Sequence, residues 1–163
     1  RCIKDKVQKG FKVLPITPDS YDCKPCHAGY KHFKEITLPK LRDTYEKGIF
    51  ICEGDIIIND EYNVDNIPQE DYPVWYGYKK ILKQNIGERY IVGNFLIWLP
   101  KSYYPILHEE ILKKGKRLIY SDRFFTQLVD KGIIKLYHKS IANEISHWSN
   151  VINNMRDGIV VNE

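Results

Sequence analysis

Gly48-Ile49-Phe50-Ile51-Cys52-Glu53-Gly54-Asp55-Ile56-Ile57-Ile58 sets the architecture expected of this chain. The run is apolar and β-branched, interrupted only where two carboxylates bracket a glycine; it is too short to cross a membrane and poorly suited to a helix. It predicts a buried strand, central in a sheet. Side chains alternate faces along a strand, so Glu53 and Asp55, two apart, point the same way. Two like charges buried side by side are costly unless something positive sits between them, and the hard cations Mg²⁺ and Mn²⁺ prefer such oxygen ligands. Gly54 removes a side chain where a bulky ligand would approach the backbone. The other reading is a strand that ends at Gly54, leaving both carboxylates in a solvated turn. The return of apolar residues at Ile56-Ile57-Ile58 counts against a simple end.

The chain has 163 residues, enough for one domain with a real core, and its 43% hydrophobic and 28% charged residues are those of an ordinary soluble globular protein. Residues 1–163 are read as a single α/β domain. A net charge of +4 permits an anionic partner such as a nucleotide or nucleic acid without demanding one. No apolar stretch approaches the roughly 20 residues of a membrane span, and the N-terminus has no signal-peptide core, so a cytosolic setting is the default expectation. The abundance of Lys, Ile, Asn and Tyr hints at an AT-rich genome, including a viral one, with the host cytoplasm or virion as its setting.

Along the chain, Arg1 to Gly10 reads as the end of a helix closed by Gly10, followed by a strand over Phe11 to Ile16. Thr17 to Pro25 is a polar loop. Ala28 to about Tyr45 is mostly helical, with Pro39 breaking or kinking it. Asn59 to Tyr72 is a polar connection, Val74 to Tyr78 a short strand or aromatic wall, and Tyr90 to Leu99 a second hydrophobic strand region. Helices are expected over Lys101 to Lys114 and Asp122 to Lys131, with a short strand over Ile133 to Tyr137. Strands alternating with helices argue for an α/β sheet whose parallel part is largely buried.

Cys23-Lys24-Pro25-Cys26-His27 matches the short pattern of c-type haem attachment. The absent export signal and the α/β pattern argue against haem, and a zinc site would want a second Cys or His pair. Two reduced cysteines in a loop are the expectation.

Taken in order, these segments resemble glycosyltransferase family 25, which includes bacterial lipopolysaccharide galactosyltransferases and collagen galactosyltransferase-like proteins. In that family a helix bearing a Ser-His pair precedes a hydrophobic strand ending in Glu-Asp-Asp. Here Ala28 to Ile36 stands in the helix position, with His32 matching the His and Lys31 replacing the serine. Ile49 to Asp55 stands in the strand position, with Gly54 replacing the middle acid. Tyr90 to Ser102 resembles a glycine-containing strand leading into a helix, Ser121-Asp122-Arg123-Phe124-Phe125 a later Asp motif, and Ser146-His147-Trp148-Ser149-Asn150-Val151 the Ser-containing segment near the C-terminal end. The likeness spans roughly residues 11 to 151, and the strand expected to hold the nucleotide base would lie before Arg1.

The resemblance implies a GT-A-like sheet flanked by helices and a nucleotide-diphosphate sugar as donor, with Mn²⁺ or Mg²⁺ neutralising the leaving group. On this view Asp55 is the principal metal ligand, Glu53 a direct or water-mediated second, and His147 the third in preference to His138. Asp122 positions or deprotonates the acceptor hydroxyl, while Asn94 and His32 serve the donor. Each has a plainer alternative: a surface or capping histidine for His147, a helix N-cap for Asp122, a satisfied core amide for Asn94. Tyr72, Trp75, Tyr76 and Tyr78 would suit a sugar or base platform, or are core. The acceptor is a glycan, a protein or a hydroxymethylated DNA base. If it is DNA, Lys113-Lys114-Gly115-Lys116-Arg117 is where phosphates would be sought; otherwise that run is a solvated loop. The alternative function is a non-catalytic structural or binding module descended from the same fold. A third reading, a small nucleic-acid-binding protein, rests on charge and aromatic content.

Overall fold

The computed structural model describes residues 2–14, 25–54, 56–76, 80–83, 89–92, 96–137 and 141–144. In chain order these form α1 (Cys2–Gln8), α2 (Pro25–His32), a π-helical turn (Phe33–Thr37), α3 (Leu38–Asp43), β1 (Gly48–Cys52) and β2 (Ile56–Ile58). There follow β3 (Val74–Trp75), β4 (Lys80–Lys83), β5 (Arg89–Val92), β6 (Leu96–Pro100), a 3₁₀ turn (Lys101–Tyr103), α4 (Tyr104–Lys114), α5 (Ser121–Asp130), β7 (Lys135–Leu136) and β8 (Ala142–Glu144). Gly10, at φ +88°, closes α1 as expected. Pro39 falls in the first turn of α3, where its missing N–H is harmless, and the break before it is the π turn.

Four strands make the main sheet in the order β1-β6-β3-β7. β6 runs antiparallel to both β1 and β3, and β3 is parallel to β7, so β1, β3 and β7 share one direction. β2 pairs with β8 and β4 with β5, each antiparallel. Period-two alternation divides the main sheet between two cores. Ile49, Ile51, Trp75, Ile97 and Leu99 face the helices, against Tyr30, Phe33, Leu41, Leu107, Phe124 and Leu128. Phe50, Cys52, Val74, Leu96 and Trp98 face the other way, against Ile56, Ile58, Ile67, Ile141 and Ala142. The result is a mixed α/β fold with α2 to α5 on one face of the sheet and the β2–β8 pair, with α1 against β2, on the other.

Charged side chains anchor α1. The buried Lys6 amine donates to the Ile56 carbonyl at 2.6 Å, and the Lys9 amine donates to the Ile58 carbonyl. The Asp5 carboxylate accepts the Ile58 N–H at 3.1 Å. These groups satisfy backbone positions of β2, and charge along a strand edge opposes pairing with another chain.

Several expectations need correction. Residues 48–58 do not form one central strand: β1 and β2 lie in different sheets, and among the described residues β1 is outermost in its own. The central place belongs to β6, all five of whose residues are buried, while those of β1 are only partly so. A sheet with a large buried parallel part is replaced by a mixed one whose directly parallel pair is β3–β7. Phe11 to Leu14 has no regular structure, and Phe11 instead sets its ring edge-on to Phe50 at 5.4 Å; Pro15 and Ile16 lie outside the described residues. Tyr90 to Leu99 is split between β5 and β6. Trp75 and Tyr76 are core rather than platform, each 1% exposed, while Tyr72 lies under the Lys135 amine; Tyr78 lies outside the described residues. Among the described residues no helix is long and apolar enough to cross a membrane.

Candidate functional site

β1 ends at Cys52, and its carboxyl end delivers Glu53 into solvent; Gly54 follows in an exposed turn. A Cβ added at Gly54 would meet no heavy atom within 4 Å, so packing does not dictate the glycine and there is room beside it. Glu53 thus occupies a solvated turn, and the apolar run resumes because the chain enters a second sheet. An accessible carboxylate with open space beside it suits a hard cation that keeps part of its water shell. Asp55, Asn94 and His147 lie outside the described residues, as does Cys23 of the haem-like pattern. Among the described residues no group of three His, Cys, Asp or Glu side chains could hold a metal ion.

His32 and Asp122 are carried by neighbouring helices. α2 and α5 pack through Tyr30 on Phe124, with ring centroids 5.1 Å apart, and the π turn adds Phe33 on Phe125 at 5.2 Å. At Gly29 an added Cβ would come within 2.9 Å of the Ser121 hydroxyl, so the residue before Asp122 lies close against α2. His32 immediately precedes the π turn, and its Nδ1 lies 3.2 Å from the Thr37 hydroxyl, five residues on. A π turn brings positions i and i+5 together, and such turns recur at functional sites. Burial lowers the pKa of His32 and so favours the neutral ring, able both to donate and to accept a hydrogen bond.

Asp122 sits in the first turn of α5, not at its cap: the N-cap is Tyr120, and the Asp122 backbone carbonyl accepts the Thr126 hydroxyl at 2.6 Å. The capping alternative is therefore corrected, because the N-cap lies two residues earlier than that reading places it. The structure brings the segments of His32 and Asp122 together on the helical side, while Glu53 stands at the carboxyl end of β1.

The sequence reading overlooked Glu110. It is only 6% exposed, and its carboxylate takes Lys131 at 2.6 Å and Lys113 at 3.2 Å, joining α4 to the turn after α5. Those bonds hold its pKa below the usual carboxylate range, Lys131 contributing most. The local signal was Glu110 three residues before Lys113 on a helix; Lys131, in another element, left no mark near it.

Fold and site define a mixed α/β protein with a carboxylate at the end of a sheet strand and a His–Asp pair of helices on one face. The chain matches no family model, and no significant match exists among curated proteins or solved structures.

Proposed function

We propose that this chain is a glycosyltransferase of the GT-A type, moving a sugar from a nucleotide-diphosphate donor to an acceptor hydroxyl. The observation that carries the reading is strand polarity. β1, β3 and β7 run the same way, and in open α/β sheets ligands bind beyond the carboxyl ends of such strands. Glu53 directly follows that end of β1. The order of the motifs around His32, Glu53, Asp122 and His147 supports the same conclusion.

When bound, Mn²⁺ or Mg²⁺ supplies positive charge to the departing diphosphate. Asp55 and Glu53 would provide its oxygen ligands, and His147 a nitrogen. Asp122 accepts the proton of the acceptor hydroxyl. Asn94 and the neutral His32 hold the donor by hydrogen bonds. The acceptor class, whether glycan, protein or hydroxymethylated DNA base, follows from whatever binds opposite Asp122.

One observation favours a second reading, a non-catalytic binding module on the same fold: the strand outermost among the described residues of the sheet delivers Glu53 to an exposed turn, where Gly54 replaces the middle acid of the resembled motif. Thermal melting with Mn²⁺ plus UDP or GDP separates the two. The transferase reading expects a rise in Tm that Asp55→Ala removes, because a ligand bound only by the folded state stabilises it by mass action. It also expects Asp122→Asn to lower transfer from a panel of nucleotide sugars at least 100-fold with Tm unchanged. No shift with either diphosphate selects the binding module.

A further inference from the structure

The α4–α5 junction gathers cations that the proposed transfer chemistry does not use. Lys113 and Lys131 share the Glu110 carboxylate, and Lys113 also reaches Glu109 at 3.4 Å. Two further cations meet neutral oxygens. The Lys34 amine donates to the Gly115 carbonyl at 3.3 Å, and the Lys114 amine donates to the Gln127 side-chain carbonyl. Lys116 and Arg117 are exposed and, among the described residues, pair with no carboxylate.

These charges repel one another. Burial first, then Lys131, Arg117 and Arg123, depress the Lys114 pKa, with Glu110 opposing them only in part. Like charges held this close make a positive patch that attracts a polyanion. Glu110 is shared by Lys113 and Lys131 and Glu109 is paired with Lys113, which leaves Lys34, Lys114, Lys116 and Arg117 without a carboxylate partner among the described residues.

An exposed aromatic group follows the cations closely in the chain. Tyr120, three residues after Arg117, is 52% exposed and meets the His27 ring edge-on at 5.3 Å. A half-exposed tyrosine supported by a second ring offers a face on which a base can stack. Phosphate-binding cations near such a face match a nucleic-acid strand better than a sulfated glycan, which carries no flat aromatic base to stack.

We infer that the α4–α5 junction binds single-stranded nucleic acid, with phosphates on Lys114, Lys116 and Arg117 and a base on Tyr120. The surface uses neither Glu53 nor Asp55, so this binding stands or falls separately from sugar transfer.

The test is fluorescence anisotropy of the whole chain with a labelled thymidine 20-mer between 50 and 200 mM salt, roughly the range over which phosphate-driven affinity changes steeply. Expected results are binding that weakens with salt, about tenfold loss and a shallower salt slope in the Lys116→Glu/Arg117→Glu double variant, and about tenfold loss with an unchanged slope in Tyr120→Ala. Circular dichroism melting confirms that the variants, all altered at exposed positions, remain folded. No binding at the lowest salt, or an unaffected charge-reversed variant, overturns the proposal. So does an abasic strand or heparin binding as tightly as the oligonucleotide, because the surface would then select charge without bases.

Discussion

His32 shows how one side chain's surroundings become a solution property. Burial makes protonation of its ring harder in the folded chain than in the unfolded one, where the imidazole titrates at its ordinary value of about 6.5. Below that pH the unfolded state takes up more protons, so this contribution to stability is complete above about pH 6.5 and is lost as pH falls through the lower folded value. Denaturant titrations between pH 7.5 and 5.5 should show the midpoint falling, and His32→Gln should flatten that fall. An equal slope in the variant would mean that the titrating group is elsewhere. Glu110 acts at lower pH in the same direction: its depressed carboxyl pKa, set first by Lys131 and then by Lys113, stabilises the fold above the usual carboxylate range and not below it.

At the scale of elements, the β1–β6 pairing depends on a glycine. Gly48 lies opposite Pro100, and an added Cβ would sit 2.1 Å from the Leu99 carbonyl oxygen, 2.7 Å from the Trp98 ring and 2.8 Å from the Pro100 Cα. Two of those neighbours are backbone and cannot rotate away. Gly48→Ala should therefore destabilise the protein by about 2 kcal/mol, as overpacking does, instead of gaining the roughly 0.4–1 kcal/mol of an unstrained Gly-to-Ala change. Urea unfolding measures the difference, and a variant as stable as the parent would show that the strands can part at no cost. Elements with strong local signals were legible in sequence: α4, α5 and β7 fall within a few residues of where periodicity and breakers place them, although Asp122 is not the cap of α5. Sheet membership was not. Ile56-Ile57-Ile58 reads as a continuation of β1, yet β8, far along the chain, pulls it into another sheet, and no local pattern records a partner so distant.

For the whole molecule, the same limit explains why the candidate site was only partly legible. The spacing of Glu53 and Asp55 suggests a pair of ligands, but the edge of the sheet at which Glu53 stands depends on strand direction, which β6 fixes from more than forty residues away. Tertiary order also ranks local stability. β6 is bonded on both edges and buried throughout, whereas β1 is bonded to β6 alone among the described residues. Opening β6 requires breaking the main sheet and both cores together, so its amides should exchange only through global unfolding. The amides of β1 that point away from β6 should exchange by local fraying, orders of magnitude faster. Hydrogen exchange resolved to single residues checks this ranking at Ile49 to Cys52 and Leu96 to Leu99. Slow exchange at every β1 amide would contradict it and would reveal a further strand on the outer side of β1, turning the strand that leads to Glu53 into the interior strand its apolar sequence suggests.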